Sequence, residues 1–125
     1  MGNRPKFVAI VEDDPSMLRG IERLLTTRGF STKGYASAEA FLGDADASEA
    51  TCLVLDIHLG GISGIELRRR LAAASSKLPI IFMTASDSDA TVQNAFEVGC
   101  IACLRKPFPG SLLIDAIKRA ETAPR

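Results

Sequence analysis

Five short apolar runs alternate with segments of helical periodicity, and this alternation constrains the fold more than any other feature of the chain. The runs cover residues 7–11, 31–35, 52–55, 79–83 and 101–104. The first helical segment places Ile21, Leu24 and Leu25 on one face, as an amphipathic helix requires. Four of the runs are apolar throughout, which is typical of strands covered on both faces in a parallel sheet.

The second run has fewer apolar residues than the others, and this more polar composition favours an edge strand. Right-handed crossovers between parallel strands then predict an α/β protein of the flavodoxin-like, doubly wound type. Its sheet would have five parallel strands in the order 2-1-3-4-5, flanked by five helices. A chain of 125 residues corresponds to one domain over 1–125, with a core of about 6–121 and a tail or linker stub at 122–125.

Charge and hydropathy exclude several classes of function. Fifteen basic and fifteen acidic residues give no net charge, so a general electrostatic attraction to nucleic acid or an anionic membrane is not expected. No apolar run approaches the roughly 20 residues of a membrane span. Residues 1–6 and the short run after them do not have the pattern of a signal peptide. Three cysteines, an odd number, are simplest to explain in a reducing cytoplasm.

Polar side chains stand where the central strands are expected to end. An acidic segment at 12–14 follows the first run, Asp56 the third, Thr84 the fourth and Lys106 the fifth. The carboxyl ends of parallel strands lie along one edge, where such sheets bind ligands at the point of strand-order reversal. We therefore expect these groups to meet although they are far apart in sequence.

The chemistry of this set indicates phosphoryl transfer onto an aspartate. Carboxylates brought together repel one another and call for a cation or a proton. Oxygen ligands in an open cleft suit Mg²⁺, which leaves room for water and phosphate oxygens. A lysine and a hydroxyl beside them supply a positive charge and a hydrogen-bond donor for a phosphoryl group.

Four motifs in register carry a resemblance to a known family. They are V-E-D-D-P at 11–15, L-V-L-D at 53–56, M-T-A at 83–85 and K-P-F at 106–108. Together they resemble the receiver domain of two-component response regulators, over nearly the whole chain. The segment at 37–42 is further similar to regulators of the nitrogen-fixation type, which is a weaker likeness.

The resemblance implies a phosphoacceptor and a metal site. Asp56 would accept the phosphoryl group and also contact Mg²⁺. Asp13 would bind the metal directly and Glu12 mainly through water. The backbone carbonyl of His58 would complete the protein ligands.

The resemblance also implies a clamp, a partner and an output. Thr84 and Lys106 would contact the phosphoryl group, and the Lys106–Pro107 bond is expected to be cis. The donor would be a phosphohistidine on a sensor histidine kinase or a phosphotransfer protein. The domain would be a switch, not a turnover enzyme, assisting only its own phosphorylation and dephosphorylation. The surface of the last two strand–helix units would contact an output domain or a second copy.

Several residues have a structural reading beside the functional one. Asp14 is expected to cap the first helix rather than bind metal. His58 is expected to be an exposed loop residue whose side chain tunes the lifetime of the phosphoryl group, by analogy with the family. Cys100 and Cys103 form a C-x-x-C pattern before a strand, which favours two buried small hydrophobes over a redox pair. The arginines at 68–70 are expected to form a solvated face.

Two positions depart from the family pattern. Cys103 stands where receivers usually carry an aromatic residue that turns inward on activation, and Gly60 replaces a frequent proline.

Three other functions remain as alternatives. The first is a degenerate receiver acting as a constitutive interaction module. A flavodoxin-like cofactor binder would place an acidic loop against a flavin phosphate, and an aspartate phosphatase usually shows D-x-D after the first strand.

Overall fold

The five apolar runs form one parallel sheet, in the order β2-β1-β3-β4-β5 that the sequence predicts. The computed structural model describes residues 6–122. The strands are β1 Phe7–Val11, β2 Thr32–Tyr35, β3 Ala50–Asp56, β4 Ile80–Thr84 and β5 Ala102–Arg105. The helices are α1 Pro15–Thr27, α2 Ala38–Leu42, α3 Gly64–Ala73, α4 Asp89–Val98 and α5 Gly110–Thr122.

The strands are apolar throughout because both faces of the sheet are covered. Alternate residues of β1 point into two separate cores. Ala9 and Val11 pack with residues of α2, α3 and α4, whereas Val8 and Ile10 pack with residues of α1 and α5. Each fully buried Val or Ile side chain contributes roughly 1.5–3 kcal/mol by leaving water. The edge strand β2 is the most exposed of the sequence's first three runs, as its polar composition predicts.

Helix α1 begins and ends at the residues that the sequence marks. The carboxylate Oδ1 of Asp14 accepts hydrogen bonds from the backbone N–H of Ser16 and Met17, at 3.0 and 3.4 Å. Pro15 occupies the first helical position, where no backbone N–H is needed. Gly29 follows the helix with φ of +87°, a conformation that glycine adopts without steric cost. The cap formed by Asp14 fixes the start of α1 immediately after Glu12 and Asp13.

The structure differs from the sequence prediction in small ways at the element ends. Residues Ala45–Glu49 form a short 3-10 helix that the sequence did not predict, because its polar residues show no apolar periodicity. Helix α5 ends at Thr122, the first residue of the segment that the sequence suggests as a tail or linker stub. The expectations for residues 1–5 and 123–125 lie outside the described residues.

The described helices also bear on the membrane prediction. Across residues 6–122, none of the helices has both the length and the apolar character that crossing a bilayer requires.

Candidate functional site

Three carboxylates meet at the carboxyl edge of the sheet. Glu12 and Asp13 follow β1, and Asp56 is the last residue of the neighbouring β3. One oxygen of each lies within 4.8 Å of the others. Glu12 and Asp56 are buried, whereas Asp13 is exposed and opens the cluster to solvent. This is the convergence that the positions of the strand ends predict.

The ammonium group of Lys106 lies between two of these carboxylates. Its Nζ donates to Glu12 Oε1 at 2.6 Å and to Asp56 Oδ2 at 3.3 Å. The backbone explains its position: Lys106 N–H donates to the carbonyl of Thr84 at 2.7 Å, which holds the loop after β5 against the end of β4. The Lys106–Pro107 peptide bond is cis, as the resemblance implies.

Burial and crowding shift the acid–base properties of this pair. Burial raises the pKa of Glu12, and the charge of Asp56 adds to the rise, while hydrogen bonds from Lys106 and from the backbone of Asp14 oppose it. Burial alone would lower the pKa of Lys106, but the hydrogen bond to Glu12 and the charges of Asp56 and Glu12 raise it above its ordinary value. Lys106 is therefore held as a cation between its acidic neighbours.

The carboxylate cluster fits a small divalent cation. All three side chains offer oxygen atoms, and Mg²⁺ prefers one or two carboxylates together with water. One ammonium group faces three carboxylates, so the cluster keeps an excess of negative charge. Asp14 does not belong to it, because its carboxylate caps α1. The metal role of the His58 carbonyl stays a prediction.

The loop between β3 and α3, residues 57–63, is tied to the site by its backbone. Asp13 Oδ2 accepts from Gly60 N–H at 3.1 Å, and Asp56 Oδ1 accepts from His58 N–H at 3.0 Å. Farther along the loop, Glu39 Oε2 on α2 accepts from Ile62 N–H at 3.1 Å. Two of the three carboxylates in the cluster therefore also position this loop.

The side chain of His58 contacts Thr84, a contact that the sequence did not reveal. Thr84 ends β4 and is fully buried, and its Oγ1 lies 3.0 Å from His58 Nε2. The same Oγ1 accepts from Ser86 N–H at 3.0 Å. His58 is exposed, as predicted, yet its ring is engaged. Because the two residues are 26 apart, His58 on the β3–α3 loop and Thr84 at the end of β4, no local pattern could have paired them.

Two motifs outside the site differ from their predicted settings. Cys100 and Cys103 are half-buried rather than fully buried. Burial raises the pKa of the Cys100 thiol to about 11, with a further contribution from Cys103, and burial also raises the pKa of Cys103. Such thiols are poor nucleophiles, consistent with a packing role.

Arg68 is half-buried and donates from Nε to the carbonyl of Gly99 at 2.9 Å, so the segment at 68–70 is not a purely solvated face.

Comparison with known proteins gives a consistent match. Residues 8–118 match the family model described as the response regulator receiver domain. The transcriptional regulatory protein FixJ of Rhizobium meliloti (strain 1021) is 34% identical over 113 residues, which are 90% of this chain and 55% of that protein. The response regulator protein TodT of Pseudomonas putida is 30% identical over 120 residues, or 96% of this chain and 53% of the relative. The chain thus spans little more than half the length of these relatives.

Solved structures give the same answer at the level of the backbone. The crystal structure of FixJ-N superposes with a TM-score of 0.87 and 31% identity, covering 99% of this chain and 98% of the other. The response regulator StyR gives a TM-score of 0.82 with 38% identity, covering 94% of this chain and 59% of the other.

Proposed function

The chain belongs to the receiver domain family of two-component response regulators, and we propose that it is a phosphorylation switch in which Asp56 accepts the phosphoryl group. The observation that supports this most strongly is the position of Asp56. Asp56 is 4% exposed and lies at the end of a central strand. Its carboxylate lies 3.3 Å from the ammonium group of Lys106 and beside the carboxylates of Glu12 and Asp13. A charge buried in this way needs a functional or structural reason.

In the proposed reaction, the Asp56 carboxylate attacks the phosphorus of a phosphohistidine on a sensor kinase or phosphotransfer protein. A P–O bond to Asp56 forms while the P–N bond to the donor breaks, and the donor imidazole leaves with the electron pair. Lys106 would compensate the charge that gathers on the phosphoryl oxygens. The hydroxyl of Thr84 would donate a hydrogen bond to one of them.

The proposed metal ligands are Asp13 and Asp56 directly, Glu12 through water, and the backbone carbonyl of His58. Mg²⁺ bound there would screen the repulsion between the acceptor carboxylate and the incoming dianion. The protein's own contribution is to hold the acidic groups on two adjacent strand ends, where one side chain remains open to water.

The proposed output is a change in population between two surface conformations. Phosphorylation adds a dianionic group that Lys106 and Thr84 engage in only one of them, and this differential contact shifts the equilibrium. The affected surface would be the β4–α4 and β5–α5 units. It exposes two large apolar side chains, Phe96 on α4 and Leu112 on α5, at 52% and 49%. These suit contact with a second copy or an output domain.

The proposed domain core is about residues 6–121, and a cytoplasmic location stays part of the proposal. Since relatives of this chain are longer, an output domain is proposed by analogy with response regulators as a class. The switch would assist its own phosphorylation and dephosphorylation without turning over a separate substrate.

Intact-mass measurement after incubation with a small acyl phosphate tests the proposal. We expect one added phosphoryl group in the presence of Mg²⁺, none after chelation, and none in Asp56→Asn. The matched control is Asp115→Asn, which makes the same change at an exposed position on α5 and should be phosphorylated normally. Uptake by Asp56→Asn would relocate the acceptor. A wild-type protein that takes up no phosphoryl group would favour the alternative of a constitutive interaction module.

A further inference from the structure

The hydroxyl group of Thr84 is buried and has two hydrogen-bond partners among the described residues. Thr84 is 0% exposed, so water does not reach it. Within residues 6–122 its Oγ1 has two partners, the backbone N–H of Ser86 and the ring Nε2 of His58, both at 3.0 Å. The first of these is a donor only, and it uses one lone pair of the oxygen.

Among the described residues, the one acceptor within reach of the Thr84 hydroxyl hydrogen is the Nε2 atom of His58. A buried hydroxyl whose hydrogen found no acceptor would carry a desolvation cost, which favours donation from Thr84 to His58. Nε2 can accept only if the imidazole is neutral and carries its proton on Nδ1. A Thr84 hydroxyl that donates to His58 therefore requires the tautomer with its proton on Nδ1.

We propose that His58 is a positioning residue that holds the Thr84 hydroxyl in the unphosphorylated protein and must release it when Asp56 is phosphorylated. This inference rests on the proposed function, in which the same hydroxyl donates to a phosphoryl oxygen. Thr84 has one hydroxyl hydrogen, so it can serve His58 or the phosphoryl group but not both. The His58–Thr84 hydrogen bond belongs to the resting state alone and opposes the switch.

The release of His58 gives this receiver a route for its signal that does not need an aromatic residue at position 103. Cys103 has no ring to turn inward. His58, in contrast, is part of the β3–α3 loop, whose backbone is held by Asp13 and Glu39 through Gly60 and Ile62. Loss of the contact with Thr84 frees one of the ties that hold this loop. The signal from Thr84 would therefore reach the β3–α3 loop in addition to the β4–α4 and β5–α5 units.

His58 is the only histidine in the chain, so its ring nitrogens give an unambiguous NMR signal. In mildly alkaline buffer, ¹⁵N spectra of the resting protein should show a neutral ring with the proton on Nδ1. Addition of Mg²⁺ and beryllofluoride, a mimic of the aspartyl phosphate, should shift the Nε2 resonance as its bond to Thr84 is lost. Asp56→Asn should show the resting spectrum under both conditions. Thr84→Ala should show the shifted Nε2 resonance from the start.

Binding of beryllofluoride to variants gives a second readout that is independent of phosphate hydrolysis. His58→Ala keeps the backbone carbonyl and should bind the mimic more tightly by roughly two- to tenfold, the equivalent of one net hydrogen bond. His58→Gln retains a side-chain acceptor and should restore part of the wild-type affinity. In a Thr84→Ala background, His58→Ala should have no further effect.

The outcomes separate this inference from the proposed function. A resting His58 with its proton on Nε2 overturns the inference, whatever the protein binds. Normal beryllofluoride binding with an unchanged His58 spectrum also overturns it and leaves the phosphoacceptor intact. Failure of the wild-type protein to bind the mimic contradicts the proposed function instead, while the tautomer measured in the resting protein still decides whether His58 accepts from Thr84.

Discussion

At the scale of single residues, the site is defined by one cation that cannot neutralise three carboxylates. Lys106 forms ion pairs with Glu12 and Asp56 at 2.6 and 3.3 Å. Asp13 accepts from the backbone of Gly60 and has no ion pair with Lys106 among the described contacts. The charge of Asp13 is therefore the least compensated in the cluster.

Neutralising Asp13 should relieve this repulsion. Without Mg²⁺, we expect Asp13→Asn to leave the free energy of unfolding unchanged or to raise it by up to about 1 kcal/mol, because an amide oxygen still accepts from Gly60. Urea denaturation in the presence of a chelator measures this, with Asp115→Asn as the control. A clear loss of stability would show that the carboxylates do not repel one another in the folded protein. Added Mg²⁺ should stabilise the wild type more than the variant.

A second residue-scale prediction concerns Asp44, which lies outside the site. Its Oδ2 accepts from Lys33 Nζ and from the hydroxyl of Tyr35, both at 2.6 Å. The hydrogen bond from Lys33, followed by that from Tyr35, lowers the pKa of Asp44 from 3.8 to about 2. The folded state thus favours the ionised form.

The contribution of Asp44 to stability should therefore be present above pH 3.8 and disappear as the pH falls toward 2. We expect the wild type to be more stable than Asp44→Asn at neutral pH, and the difference to shrink over that interval. Thermal unfolding of both proteins across this pH range measures it, and a variant at the exposed Asp115 controls for the other carboxylates. A difference that stays constant with pH would contradict the proposed ion pair.

At the scale of elements, the sequence specified type and order better than ends. Asp14, Pro15 and Gly29 fix the limits of α1 because capping and backbone conformation are local properties. The strands were predicted from apolar residues alone, and the predicted runs therefore stopped short of the polar residues Asp56 and Thr84. In the structure these two residues are the last residues of β3 and β4. The 3-10 helix after α2 has no apolar stripe and left no signal.

The start of α3 shows how closely an element can approach the site. Gly64 N–H donates to the carbonyl of Ile57 at 3.0 Å, and a β-carbon at Gly64 would clash with the backbone carbonyl of Asp56. We expect Gly64→Ala to lower the free energy of unfolding by about 1–3 kcal/mol, because backbone must move to admit the methyl group.

A matched control for this prediction lies in α1. Gly20 is exposed, and a β-carbon there would have no atom within 4 Å. Gly20→Ala should therefore raise stability by about 0.5–1 kcal/mol through helix propensity. Chemical denaturation of both variants compares them. Equal changes in the free energy of unfolding for the two substitutions would contradict the close contact between Gly64 and the backbone carbonyl of Asp56.

At the scale of the whole molecule, parallel topology brings together residues that the sequence separates. Glu12 and Lys106 are 94 positions apart, yet they are joined by a hydrogen bond because β1, β3, β4 and β5 end at one edge. The sequence predicted this meeting, since the alternation of apolar runs and helices indicates a parallel sheet, whose strands all end at one edge. It could not predict the pairings within the site. Whether Lys106 contacts Glu12 or Asp56, and whether His58 reaches Thr84, depends on loop conformations that no local pattern encodes.

The most direct test of the central claim is to locate the phosphoryl group on the chain. Reductive cleavage of an acyl phosphate with borohydride converts the modified aspartate to homoserine, which peptide mass mapping can place. After treatment with an acyl phosphate and Mg²⁺, we predict homoserine at position 56 and nowhere else. Homoserine at position 13, or at an acidic residue away from the carboxyl edge of the sheet, would contradict the claim that this edge assembles a phosphoacceptor site around Asp56.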